Sequence, residues 1–208
     1  MPLDHTNNGF FQLMATRTAA EMDRAFECYY PVEGDNDVSE AVTTAYLAFQ
    51  LRDEGFFVYP QIQCSAAIDN HLDLAAINPV SNTVFLVESK RLYSSEKARS
   101  LGKDWRRLQA ATITSELRHV PDGHRYFACL LATTWNESFG NWWGDLARSA
   151  APGRCNANDW IDLRNALGQA SLNLCLNVPL DRLGWNNRLY VLFSFIGLRQ
   201  ASQSCNVV

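Results

Sequence analysis

The chain has 208 residues, of which 47% are hydrophobic and 19% charged, and its formal net charge is −4. That is enough apolar material for one domain with a buried sheet flanked by helices, so a single domain over 1–208 is expected and no second core is needed. The most apolar stretches, Tyr126 to Thr134 and Leu189 to Leu198, are too short to span a bilayer, and Met1 to Asn8 has neither a basic segment nor a long apolar run. A membrane or export role is therefore not expected.

In chain order, Thr16 to Tyr29 reads as a helix with Ala20, Met22, Ala25 and Phe26 apolar. An acidic loop from Pro31 to Asp37 follows. Its Glu33, Asp35 and Asp37 lack EF-hand spacing and read as turn and cap residues. A second helix runs from about Val38 to Glu54 and passes through Gly55 into a strand from Phe56 to Gln63. Leu72 to Asn78 forms another strand, Pro79-Val80-Ser81-Asn82 a turn, and Thr83 to Arg91 the next strand. Ser95 to Arg118 reads as a polar, basic helix, and Tyr126 to Thr134 as a fourth, strongly apolar strand. Beyond it come Trp135, Phe139, Trp142 and Trp143, a Pro152-Gly153 turn, a helix from Asp159 to Leu176, a turn-rich connection from Pro179 to Asn187, and a last strand from Leu189 to Leu198. The tryptophan cluster reads as packing, with a dimer surface as the alternative. Gln200 to Val208 reads as a loose tail.

Polar residues interrupt this apolar pattern at one place. Asp73 lies on one strand, and Glu88 and Lys90 lie on the next. Strand side chains alternate, so Glu88 and Lys90 share a face while Phe85, Val87 and Ser89 take the other. Two carboxylates and an ammonium are expected to converge there. Hard divalent cations want carboxylate oxygens, and a metal held by Asp73 and Glu88 beside a fixed charge on Lys90 suits phosphodiester hydrolysis. The plainer alternatives are a same-face ion pair at a sheet margin and a buried aspartate accepting backbone hydrogen bonds. Asp69 is the other candidate carboxylate, in a polar turn.

The Asp73, Glu88 and Lys90 pattern, on that order of helix, three strands, helix and strand, resembles the PD-(D/E)xK nuclease superfamily over about Val38 to Thr134. Leu72 stands where the family name has proline. The resemblance implies an α/β fold of the restriction-endonuclease-like type, a mixed central sheet flanked by helices with an αβββαβ core. It also implies a metal-dependent nuclease, with DNA favoured because most members act on it. One or two Mg²⁺ (or Mn²⁺) ions would be held by Asp73, Glu88 and the carbonyl of Ser89, and Lys90 would orient the attacking water or stabilise the transition state. Glu40 stands where many members carry a further acidic metal-site residue. It equally reads as the third helical position of a capping box answered by Asp37. A nuclease-fold protein that binds nucleic acid or a partner protein without cutting is the alternative function.

Charge is segregated along the chain. Arg91, Lys97, Arg99, Lys103, Arg106 and Arg107 face only Glu96 and Asp104, which gives this segment +4 and leaves −8 for the rest. A basic patch directly after the candidate catalytic strand suits a phosphate backbone, while a solvated helix face is the plainer reading. Trp105 is expected on the inner face of that helix. The cysteines at 28, 64, 129, 155, 175 and 205 contain no Cys-x-x-Cys pair and read as reduced, mostly buried thiols of a cytoplasmic protein. His119, His124 and Cys129 match no usual zinc spacing. The Asn136-Glu137-Ser138 sequon has no meaning without secretion.

Overall fold

A computed structural model of the chain describes residues 4–28, 38–63, 71–111, 123–146, 157–179 and 188–198. The described elements run α1 (Asn8–Cys28), α2 (Glu40–Asp53), β1 (Phe57–Gln63), β2 (His71–Asn78), β3 (Thr83–Arg91), α3 (Ser95–Ala111), β4 (Arg125–Thr134), α4 (Glu137–Gly144), α5 (Ala157–Gly168), β5 (Leu172–Pro179) and β6 (Arg188–Leu198). The fold is mixed α/β. Six strands form one sheet in the order β1-β2-β3-β4-β6-β5, with β3 and β4 parallel and every other pair antiparallel. Parallel neighbours need a crossover, and α3 supplies it between β3 and β4.

The sheet buries both faces, which is why its central strands read as continuous apolar runs. On one face Phe85, Val87, Phe127, Cys129, Phe193 and Phe195 meet Phe10, Phe11, Met14 and Met22 of α1 and Leu47 and Leu51 of α2. On the other face Val84, Leu86, Ala128, Leu130 and Ile196 meet Leu101, Trp105 and Leu108 of α3, Trp142 and Trp143 of α4, and Trp160 and Leu163 of α5. Gly102 sets the approach of α3 to α5, because a Cβ there would stand 2.8 Å from the Asp162 Cβ and 3.0 Å from the Leu163 nitrogen. Gly55 (φ 82°) turns the chain from α2 toward β1, in a backbone region that side-chain-bearing residues avoid.

Several expectations need correction. The helix expected from Asp159 to Leu176 stops at Gly168, and the edge strand β5 begins at Leu172. Leu172, Leu174, Leu176 and Val178 pack on the first core at every second residue, a strand period that overrides the helical reading. The tryptophan-rich segment forms α4, capped by the Asn136 side chain, which accepts from the Ser138 N–H. Trp142, Trp143 and Trp160 are fully buried, so they are packing residues and not a docking surface. The first helix starts eight residues earlier than Thr16, at Asn8. Cys28 is exposed, against the expectation of buried thiols, whereas Cys129 is buried and Cys175 partly so. Cys64, Cys155, Cys205, His119, the acidic loop from Pro31 to Asp37, the turn-rich connection after Pro179 and the C-terminal tail lie outside the described residues. No helix among the described residues is long and apolar enough to cross a membrane.

Candidate functional site

The site forms where the sheet ladder opens. Between β1 and β2 the register pairs Pro60 with Leu74 and Ile62 with Leu72, and it skips Gln61 and Asp73. Gln61 has a positive φ of 53°, so the ladder breaks there and resumes in the same register. Leu72 and Leu74, two residues apart, lie in opposite cores, so β2 rolls over at Asp73. The β2–β3 register also ends there, its last pair being Leu74 and Val87. Freed from the regular ladder, the Asp73 carboxylate accepts a 2.7 Å hydrogen bond from the Ser89 N–H. This ties it to the strand that carries Glu88 and Lys90.

In the parallel register Glu88 stands beside Leu130 and Lys90 beside Ala132, both in the core under α3. Glu88 is only 1% exposed and pairs with the Arg107 guanidinium of α3. The Lys90 ammonium lies 3.4 Å from Asp104 Oδ2 on α3 and 3.8 Å from Glu40 Oε2 on α2, so it bridges the two helices that flank the sheet. Glu40 uses its other oxygen to accept a 3.0 Å bond from the Arg91 N–H. Its side chain therefore reaches the end of β3. The N-cap of α2 is Ser39, with no side-chain cap bond, and Asp37 lies outside the described residues. Arg107 also reaches Asp104, at 3.5 Å.

Four carboxylates, Glu40, Asp73, Glu88 and Asp104, thus surround two cations, Lys90 and Arg107. Burial first, then the neighbouring Asp104 carboxylate with Asp73 adding, pushes the Glu88 carboxyl up to about 8, against the pull of Arg107. For Lys90, burial opposes the charge, but Asp104, Glu40, Asp73 and Glu88 together outweigh it and hold the ammonium above its ordinary value. A cleft of about 300 Å³ beside the site is lined by Glu40 and Thr44 of α2 and by Gln61 and Asp73. Among the described residues, no three His, Cys, Asp or Glu side chains close on one point as a metal-ligand group.

The expected set is therefore brought together in part. Asp73, Glu88, Lys90 and Glu40 meet at one end of β2 and β3. Ser89 is buried in the β3–β4 ladder, and its N–H serves Asp73. Asp69 lies outside the described residues. Two site residues were missed by the sequence reading. From sequence alone Asp104 counts only as a charge, and Arg107 falls in the basic surface. Their signal is the i, i+3 spacing beside the buried stripe of Leu101, Trp105 and Leu108, which turns both toward the sheet. Of the remaining basic residues, Arg106 pairs with Asp162 of α5. Arg99 and Lys103 are exposed on the outer face of α3, and Arg91 and Lys97 both lie against the Tyr93 ring.

No protein-family model matches the chain, and no curated protein or solved structure matches it significantly.

Proposed function

We propose that the chain is a metal-dependent nuclease of restriction-endonuclease-like fold that hydrolyses phosphodiester bonds, with DNA the favoured substrate. The observation that carries this reading is the Asp73–Ser89 hydrogen bond, which holds one carboxylate against the strand bearing Glu88 and Lys90. The order of one helix, three antiparallel strands, a crossover helix and a parallel strand over Glu40 to Thr134 agrees with it. So does the convergence of Glu40 from α2 on the same lysine.

The donor set fits a hard divalent cation in its chemistry, because the oxygens are carboxylates and their charge is only partly matched by Lys90 and Arg107. Burial is the first cause of the raised Glu88 carboxyl, and the Asp104 and Asp73 charges add to it. Asp73 and Glu88 would hold Mg²⁺ or Mn²⁺, with Glu40 and the Ser89 carbonyl as further oxygens. When bound, such an ion lowers the pKa of a water and neutralises charge on the phosphate. Lys90, positioned by Asp104 and Glu40, supplies a fixed positive charge for the pentavalent transition state. Glu40 and the Arg91 N–H lock the end of β3, so that this charge needs no rearrangement during reaction.

A second reading is favoured by one observation. The Arg107 guanidinium already takes a Glu88 oxygen, and among the described residues no three carboxylates close on a point. A nuclease-fold protein that binds nucleic acid or a partner protein without cutting would look like this.

Supercoiled, linear and single-stranded DNA and RNA, incubated with Mg²⁺ or Mn²⁺ and with EDTA, separate the two readings. The nuclease is expected to cut only with metal, to lose cutting on Asp73→Ala, and to gain about 2.7 kcal/mol of stability at a metal concentration a hundredfold above Kd. Absence of both cutting and metal-induced stabilisation would leave the binding reading. The outer face of α3 gives a separate expectation. Arg99→Ala and Lys103→Ala should each lower the slope of log affinity against log salt by about 0.9, whatever the sequence bound, with little change in melting temperature. An unchanged slope in both variants would place the phosphate contacts elsewhere.

A further inference from the structure

Three residues beyond Lys90 the chain carries an aromatic residue that packing does not explain. Leu92 is fully buried, and its N–H donates a 2.7 Å bond to the Thr133 carbonyl. Ser94 caps α3, its carbonyl accepting from the Ala98 N–H at 3.1 Å and its hydroxyl from the Lys97 N–H at 3.3 Å. Tyr93, held between these two anchors, is 52% exposed. Its backbone is fixed and its ring is left largely in water, at the cost of exposed apolar area.

Two cations attend that ring. The Arg91 guanidinium carbon and the Lys97 ammonium each lie 5.9 Å from its centroid. Arg91 is also the residue whose N–H is gripped by Glu40, so the ring stands three residues from Lys90 on a locked stretch of chain. The ring is half exposed and both cation contacts are long, so a base can take its face in place of one cation, which is then free to meet a phosphate beside the stacked base. Bases inside a duplex are stacked on each other and have no free face. Only an unpaired base can use such a platform.

We infer that Tyr93, flanked by Arg91 and Lys97, stacks an unpaired nucleobase next to the phosphate to be cut, so that the site takes single-stranded nucleic acid or an unpaired segment of it. This rests on the nuclease reading of the neighbouring site for its substrate class. Stacking of one base on an aromatic side chain corresponds to roughly a 5- to 150-fold change in affinity.

The test uses the full chain in EDTA, so that binding is measured without cleavage. Fluorescence anisotropy compares a labelled oligothymidylate of roughly 12 nucleotides with a blunt duplex of the same length, for the parent, Tyr93→Ala, Tyr93→Phe and Tyr93→Trp. Tyr93→Ala is expected to weaken single-strand binding within that range and to leave duplex binding within about twofold, while Phe and Trp retain the parent affinity. Equal single-strand affinity in Tyr93→Ala and the parent overturns the inference, and so does an equal loss on both probes with an unchanged melting temperature. A parent that binds neither probe sinks both this inference and the nucleic-acid reading. A parent that binds the single strand through Tyr93 but cuts nothing with Mg²⁺ or Mn²⁺ upholds the stacking role and sinks only the nuclease.

Discussion

Lys90→Ala is expected to lower metal-dependent cleavage by roughly a hundred- to a thousandfold, about 3 to 4 kcal/mol of transition-state stabilisation, while leaving metal binding intact. The ammonium is held by Asp104 Oδ2 at 3.4 Å and Glu40 Oε2 at 3.8 Å, and the surrounding carboxylates keep it charged throughout the neutral range. An ammonium carries no lone pair for a metal. Removing it from beside Asp73 and Glu88 strips out a repulsive charge, so the affinity for Mn²⁺ or Mg²⁺ should stay level or rise. Asp73→Ala should behave differently and lose both binding and cleavage, because the carboxylate itself is a donor. The lysine variant will also lose stability, since Asp104 and Glu40 are left without their shared partner. Rates must therefore be compared well below its melting temperature, with metal binding followed by calorimetry. Cleavage at the parent rate in Lys90→Ala would make the lysine a structural strut between α2 and α3 and send the search for the catalytic centre elsewhere.

The sequence made part of this arrangement legible for a simple reason. Residues fixed by strand parity are readable, and residues fixed by a distant partner are not. Phe85 and Val87 fall in one core and Val84 and Leu86 in the other, so the shared face of Glu88 and Lys90 follows from period two alone. The reach of Asp73 to Ser89 does not. It depends on the break in the β1–β2 ladder at Gln61 and on the roll that sends Leu72 and Leu74 to opposite cores, neither of which has a composition signal. Asp104 and Arg107 were hidden for a related reason. On a helix that reads as basic and solvated, only the depth at which Leu101, Trp105 and Leu108 seat α3 on the sheet decides which charges turn inward. Tyr93 was passed over because its cations come from both sides of it in sequence, Arg91 from the strand and Lys97 from the helix. Local propensity also failed at Leu172 to Leu176. There three leucines were taken into an edge strand by pairing with β6.

The stability of the metal-free protein is expected to fall as pH rises from about 4.5 to about 8, with Glu88 as the group responsible. Its carboxyl, ordinarily near 4.5, is raised to about 8 by burial and by Asp104 and Asp73. Within that window the folded chain holds a proton that the unfolded chain has released. The unfolded state then binds fewer protons, and the stabilising contribution of Glu88, complete below 4.5, is lost as pH approaches the folded value. The slope should approach about 1.4 kcal/mol per pH unit inside the window. Glu88→Gln keeps the size and removes the titration. The difference in stability should therefore shift steadily in favour of the variant as pH rises from 5 to 8, whatever fixed cost the exchange carries at Arg107. The same exchange should abolish metal-induced stabilisation, because a neutral amide is a poor donor for a hard cation. Denaturant titrations of both proteins in EDTA across pH 5 to 8 read the difference directly. Parallel pH profiles would mean that Glu88 is ionised throughout the window, with Arg107 fully offsetting its burial.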